Sequence, residues 1–167
     1  VYFRFGLFSL SIWFLIENKN NFIKLFFYFF IFTYSLALLD GYVQFFFNNG
    51  IFGIEAYESD RLALPFNDKM ILGGFLSRLF PLLLALLIFI SFKRSESQVY
   101  HLLIFSLMVL TDILVYLTGE RTALVIMIIA TIATILFIKR FRLIRLFALF
   151  FAIIVIISVT ISSSSLK

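Results

Sequence analysis

The sequence predicts an all-α fold, a polytopic membrane helix bundle of about six transmembrane helices with one long extracytoplasmic loop. Three observations predict it. Of the 167 residues, 63% are hydrophobic and only 14% are charged, whereas a soluble domain is about half apolar and about a quarter charged. Mean hydropathy is +1.11. Apolar runs approaching the roughly 20 residues that cross a bilayer recur along the chain, divided mostly by short polar connections.

The runs fall at 1–16, 22–39, 71–92, 99–117, 122–138 and 143–161, with the long connection at 40–70. Orientation follows from the basic residues. One alternate set of connections carries Lys19, Lys24, Lys93, Arg94, Lys139, Arg140, Arg142 and Arg145. The other carries Arg61, Lys69, Arg78 and Arg121, mixed with Asp40, Glu55, Glu58, Asp60, Asp68 and Glu120. The first set is richer in positive charge and so faces the cytoplasm. The 40–70 loop and the turn at Gly119–Arg121 then lie outside, and the 139–145 run reads as a topology anchor.

Composition excludes several classes of function. Cysteine is absent and His101 is the one histidine, so no disulfide framework, thiolate nucleophile or His-rich metal site exists in this sequence. His101 also sits at the cytoplasmic start of its span and is given no role. The net charge of +5 reads as membrane orientation, with no nucleic-acid partner expected. The 25 phenylalanines read as lipid-compatible bulk. No charged leader region or cleavage site precedes the first run, so no signal peptide is expected. Both ends read as cut close to apolar sequence, so the chain is expected to be a fragment of a longer protein.

The candidate chemistry gathers on the outer face. A connection of about thirty residues is long for a compact bundle, and such loops are functional or disordered. This one carries Phe45, Phe46, Phe47, Ile51, Phe52 and Ile54, which disfavours disorder. Arg61 stands within it beside Asp60 and Glu58. Arg78 lies about seven residues into an apolar span, on one helical face with Gly74, Ser77 and Pro81. At that depth an arginine snorkels to the interface or faces a polar cavity. Arg121 stands beside Glu120 between two apolar runs. Asp112 lies about two turns below the outer boundary, where a lone carboxylate costs roughly 2.5–3.5 kcal/mol. It therefore calls for an arginine or hydroxyl partner. Guanidinium forks match phosphate oxygens in two-point contact, so Arg61, Arg78 and Arg121 fit a phosphate or pyrophosphate lipid head group. Asp40, Asp60, Asp68 and Glu120 show no metal-ligand spacing, and neither metal nor other cofactor is expected.

Asp40 and Gln44, the Asn48-Asn49-Gly50 stretch, Arg61 followed by Phe66, Asp68 and Gly73-Gly74, and then Thr118-Gly119-Glu120-Arg121-Thr122-Ala123 resemble the bacterial O-antigen polymerase and O-antigen ligase superfamily. The resemblance spans roughly Asp40 to Ala133 and is strongest at the Gly-Glu-Arg-Thr-Ala run. It implies a metal-independent, multi-pass glycosyltransferase of the bacterial inner membrane. Its donor would be an undecaprenyl-pyrophosphate-linked glycan and its acceptor a glycan or lipid core, with the active face periplasmic. By the same resemblance Arg121 matches the arginine of a Ser/Thr-Gly-x-Arg run, and Arg61 the loop arginine before the Gly-rich helix start. Such proteins carry a further large periplasmic loop, which would lie past Lys167.

The expected mechanism is attack of an acceptor hydroxyl on the anomeric carbon while arginines neutralise the departing pyrophosphate. Arg121 and Arg61 are the expected catalytic residues, with Asp68 the nearest candidate base and Asp40 and Glu120 next. Arg78, Gln44, Asp40 and Glu120 are expected to line the substrate site. Two other classes compete. A transporter or flippase for lipid-linked oligosaccharide would spread charge along a path through the bundle. A non-catalytic membrane subunit would tolerate Lys in place of Arg121.

Overall fold

Long apolar runs fold as helices because a backbone among apolar side chains must satisfy its own hydrogen bonds, and a helix does so within one segment. The computed structural model describes residues 10–15, 17–18, 21–47, 49–51, 62, 72–91 and 98–164. It is all-helical. Five helices are labelled here: α1 (Phe22–Phe47), α2 (Leu72–Ser91), α3 (Gln98–Leu117), α4 (Arg121–Phe137) and α5 (Arg142–Ser164). Residues 10–15 and 17–18 are also helical, and a 3-10 turn, Lys139–Phe141, joins α4 to α5. By length and composition, α1 and the Arg142–Ile161 part of α5 are long and apolar enough to cross a membrane. Leu72–Leu87, His101–Leu117 and Arg121–Phe137 are shorter apolar helices.

Helix ends from α2 onward fall within a few residues of the sequence expectation. The start of the long loop does not. Residues 40–47 belong to α1, so the helix runs eight residues past the expected boundary at 39. The reason is local. Asp40 and Gln44 are four residues apart on one face, and the Gln44 side-chain amide donates to Asp40 Oδ2 at 2.7 Å. Two polar side chains that read as loop therefore satisfy each other on the helix.

The chain divides into two compact units, residues 1–34 and 35–167, with the boundary inside α1. In the first, Phe22, Phe26, Phe30 and Tyr34 form a ladder of stacked rings one turn apart, with centroids 6.3, 5.9 and 6.1 Å apart in succession. Offset stacks at this spacing add modestly to simple burial.

In the second unit, α3 packs most extensively on α5 and α2 on α4. The three-residue link Thr118–Glu120 turns the chain from α3 into α4. Gly119 makes that turn at φ +68, a left-handed conformation that costs glycine little. Each helix turns one stripe inward. On α4 the stripe is Ala123, Met127, Ala130, Thr131 and Thr134, and on α5 it is Arg145, Ala148 and Ala152, continuing from Phe141 of the 3-10 turn. Both follow three- and four-residue steps, as an inward helical face requires. The small side chains let helices approach closely.

The other faces are apolar too. Val125, Ile128, Ile129 and Ile132 on α4 and Phe147 and Phe150 on α5 are each more than half exposed. The interior, by contrast, holds an arginine, a glutamine, an aspartate and several hydroxyls. This distribution reverses that of a soluble helix bundle, which puts its polar face outward.

Candidate functional site

Two polar assemblies stand out, one at the end where α2 begins and one inside the bundle. The first is built by Glu120. The first amides of a helix lack intrahelical acceptors, and a carboxylate placed there gains from hydrogen bonds and the helix dipole together. Glu120 Oε1 accepts from the Gly73 N–H at 3.0 Å and Oε2 from the Gly74 N–H at 2.8 Å. A side chain at Gly73 would collide with the Thr118 hydroxyl, and one at Gly74 would press on Glu120 Oε2. Glycine at both positions therefore lets the α3–α4 turn sit directly on the start of α2. Replacing Glu120 by Ala is expected to cost about 1 kcal/mol, as losing a helix cap does, with Gln recovering part. Denaturant titration in detergent micelles measures both.

Arg121 follows that carboxylate in the chain and is exposed; Arg78 lies one turn beyond Gly74 on α2 and is exposed as well. Among the described residues neither makes an ion pair. Both arginines thus belong to the end of the bundle that Glu120 ties together, within about 6 Å along α2 of the Glu120 contact in the case of Arg78. Asp40 and Gln44 have a different situation. Asp40 is fully buried, and its Oδ1 also accepts from the Ile51 N–H at 2.7 Å. This carboxylate fastens the chain just past α1 back onto the helix, and Gln44, 1% exposed, supports it. Arg61 and Asp68 lie outside the described residues.

The second assembly contains the residue that the sequence did not single out. Arg145, 1% exposed, grips Asp112 with both fork nitrogens, Nη1 to Oδ2 at 2.7 Å and Nη2 to Oδ1 at 2.9 Å. Its Nε donates to the Thr131 hydroxyl at 3.2 Å, and Nη2 also reaches that hydroxyl. The guanidinium lies over the Phe80 ring, 4.8 Å from its centroid, within cation–π range. One side chain of α5 thus touches α2, α3 and α4. Two residues before Asp112, the Leu110 carbonyl accepts from the Tyr42 hydroxyl of α1 at 2.7 Å.

This assigns Asp112 its partner and corrects the reading of Arg145 as part of a cytoplasmic anchor. Lys139 and Arg142 remain exposed, but Arg145 turns inward. Asp112, Tyr116 and Glu120 follow one another at four-residue steps but do not act together: Asp112 faces Arg145, Glu120 faces α2 and Tyr116 is exposed. A signal for Arg145 was present. It lies in phase with Phe141, Ala148 and Ala152, and Thr131 is in phase with Ala123 and Met127 on the helix that faces it.

A cavity of about 390 Å³ between α3, α4 and α5 has Asp112, Thr131 and Arg145 in its wall, with aliphatic side chains elsewhere. Among the described residues no three of His, Asp and Glu gather within reach of one ion. Comparison of the chain with protein-family models, curated proteins and solved structures finds no match.

Proposed function

We propose that this chain is part of a multi-pass membrane glycosyltransferase of the bacterial inner membrane. In this reading the six apolar runs cross the bilayer. The periplasmic end transfers a glycan from undecaprenyl pyrophosphate to an acceptor glycan or lipid core. The observation that carries the reading is the pair of exposed arginines, Arg78 and Arg121, at the end where Glu120 joins the α3–α4 turn to the start of α2. The apolar outward faces and the polar interior support the membrane part. The resemblance of the Thr118–Ala123 run to polymerases and ligases of O-antigen supports the chemistry.

The roles follow from charge. As the anomeric bond breaks, negative charge grows on the departing diphosphate. Guanidinium groups already in place lower the barrier because they need no reorganisation at that moment. Arg121 and Arg61 hold the diphosphate, Arg78 meets the lipid end of the head group, and Asp68 takes the acceptor proton. Glu120, Asp40 and Gln44 support the site without meeting substrate, since their polar atoms are already engaged with the protein.

The test is reconstitution of the full-length protein in vesicles with a glycan-loaded polyprenyl diphosphate. The expected result is release of free polyprenyl diphosphate together with a lengthened acceptor. No release with any acceptor overturns the reading. A transporter of the same lipid is the second reading, favoured by one observation: the Asp112–Arg145 pair places charge inside the bundle. It predicts that the glycan lipid changes leaflet with its diphosphate bond intact.

A further inference from the structure

We infer that Arg145 is the positioning residue for the outer-end arginines, acting through the three helices that build that end. The inference rests on the transferase reading only for what those arginines do. Its geometric content is separate.

The outer end is assembled from three pieces. Arg78 belongs to α2, Arg121 to the first turn of α4, and the Thr118–Glu120 link to the end of α3. Arg145 touches each of these helices at one point: Phe80 on α2, Asp112 on α3 and Thr131 on α4.

Two of the three contacts lie near the outer end, while Thr131 stands ten residues along α4 from Arg121. Phe80 is two residues beyond Arg78 on the same helix. Asp112 is five residues before the end of α3, about 7.5 Å along the axis. The helix passes into the link without a break in hydrogen bonding, since the Thr118 N–H bonds the Leu114 carbonyl at 2.9 Å and the Gly119 N–H the Tyr116 carbonyl at 3.1 Å. Rotation or sliding of α3 at Asp112 therefore carries the link with it. The link is fastened to α2 through Glu120. The result is a closed circuit: Arg145, Asp112, α3, Glu120, α2, Phe80 and back to Arg145.

Within such a circuit the geometry of the guanidinium matters as well as its charge. Two parallel bonds to one carboxylate fix direction, and the bonds to Thr131 and the stack on Phe80 fix the plane. Lysine preserves the charge and loses the direction. A misplacement of about 1 Å at a reacting centre is enough to cost roughly 100-fold in rate.

The experiment uses the absence of cysteine from this sequence. In the full-length protein, with any other cysteines replaced, spin labels at Leu82→Cys on α2 and Val125→Cys on α4, both exposed, report the distance between these two helices in lipid vesicles. The expected result is that Arg145→Lys broadens or displaces the distance distribution and lowers glycan transfer about 100-fold. Thr131→Val, which keeps the ion pair and its folding, gives a smaller change of the same kind. Arg121→Lys lowers transfer and leaves the distribution as in the labelled parent. A distribution unaltered by both Arg145→Lys and Thr131→Val overturns the inference, whatever transfer does. A displaced distribution in a protein that shows no transfer even as the parent upholds the positioning role and removes the transferase reading.

Discussion

Arg145→Leu alone is expected to destabilise the folded bundle by about 3–5 kcal/mol, and Asp112→Leu alone by a similar amount, because each leaves one charge buried without its partner. The double variant is expected to recover most of that loss. Two charges removed together take their desolvation cost with them, and leucine fills space among Phe80, Met108 and Ala148, all buried. In lipid the contrast sharpens, since the surroundings offer no water to an orphaned ion. Unfolding by a denaturing detergent in mixed micelles, followed as a double-mutant cycle, measures the coupling. Single variants as stable as the parent would show that the pair contributes nothing to the fold. The double variant should fold and still transfer poorly, because leucine at both positions restores packing without fixing the direction of α3.

Arg121→Ala is expected to lower glycan transfer by about 100- to 1,000-fold, the loss typical when one preplaced electrostatic group is removed from a developing charge. Arg78→Ala is expected to act more on the apparent affinity for the lipid donor, since it lies deeper along α2 and meets the head group in the ground state as well. Arg121→Lys should remain below wild type because an ammonium offers no two-point fork. Both residues are exposed, so membrane levels should hold while activity falls. Initial rates of polyprenyl diphosphate release, taken at several donor concentrations, separate the two effects. Arg121→Ala with a wild-type rate would sink the assignment.

The hydrophobic runs made α2 to α5 legible to within a few residues, because apolar length alone decides where such helices lie. The end of α1 was not legible. Asp40 and Gln44 read as loop when taken one at a time, and only their four-residue spacing, with a hydrogen bond between them, carries the helix through them. Asp112 announced its need for a partner, but the rule that assigns basic residues near span ends to the cytoplasm hid the answer. Arg145 stands only three residues inside α5, and orientation rules count charges without seeing which way a side chain turns. Glu120 was legible as a polar residue at a boundary. Its use as the cap of α2 depended on Gly73 and Gly74 approaching the link, a meeting between segments 46 residues apart that local pattern cannot show.

The 33-residue separation of Asp112 and Arg145 also bears on biogenesis. At about 5–20 residues per second, a ribosome makes the carboxylate roughly two to seven seconds before its partner. In the membrane reading, α3 would wait through that interval with an uncompensated anion if it left the insertion channel by itself. The sequence from α3 to the start of α5 is therefore best delivered to the bilayer as one package, released after Arg145 has emerged.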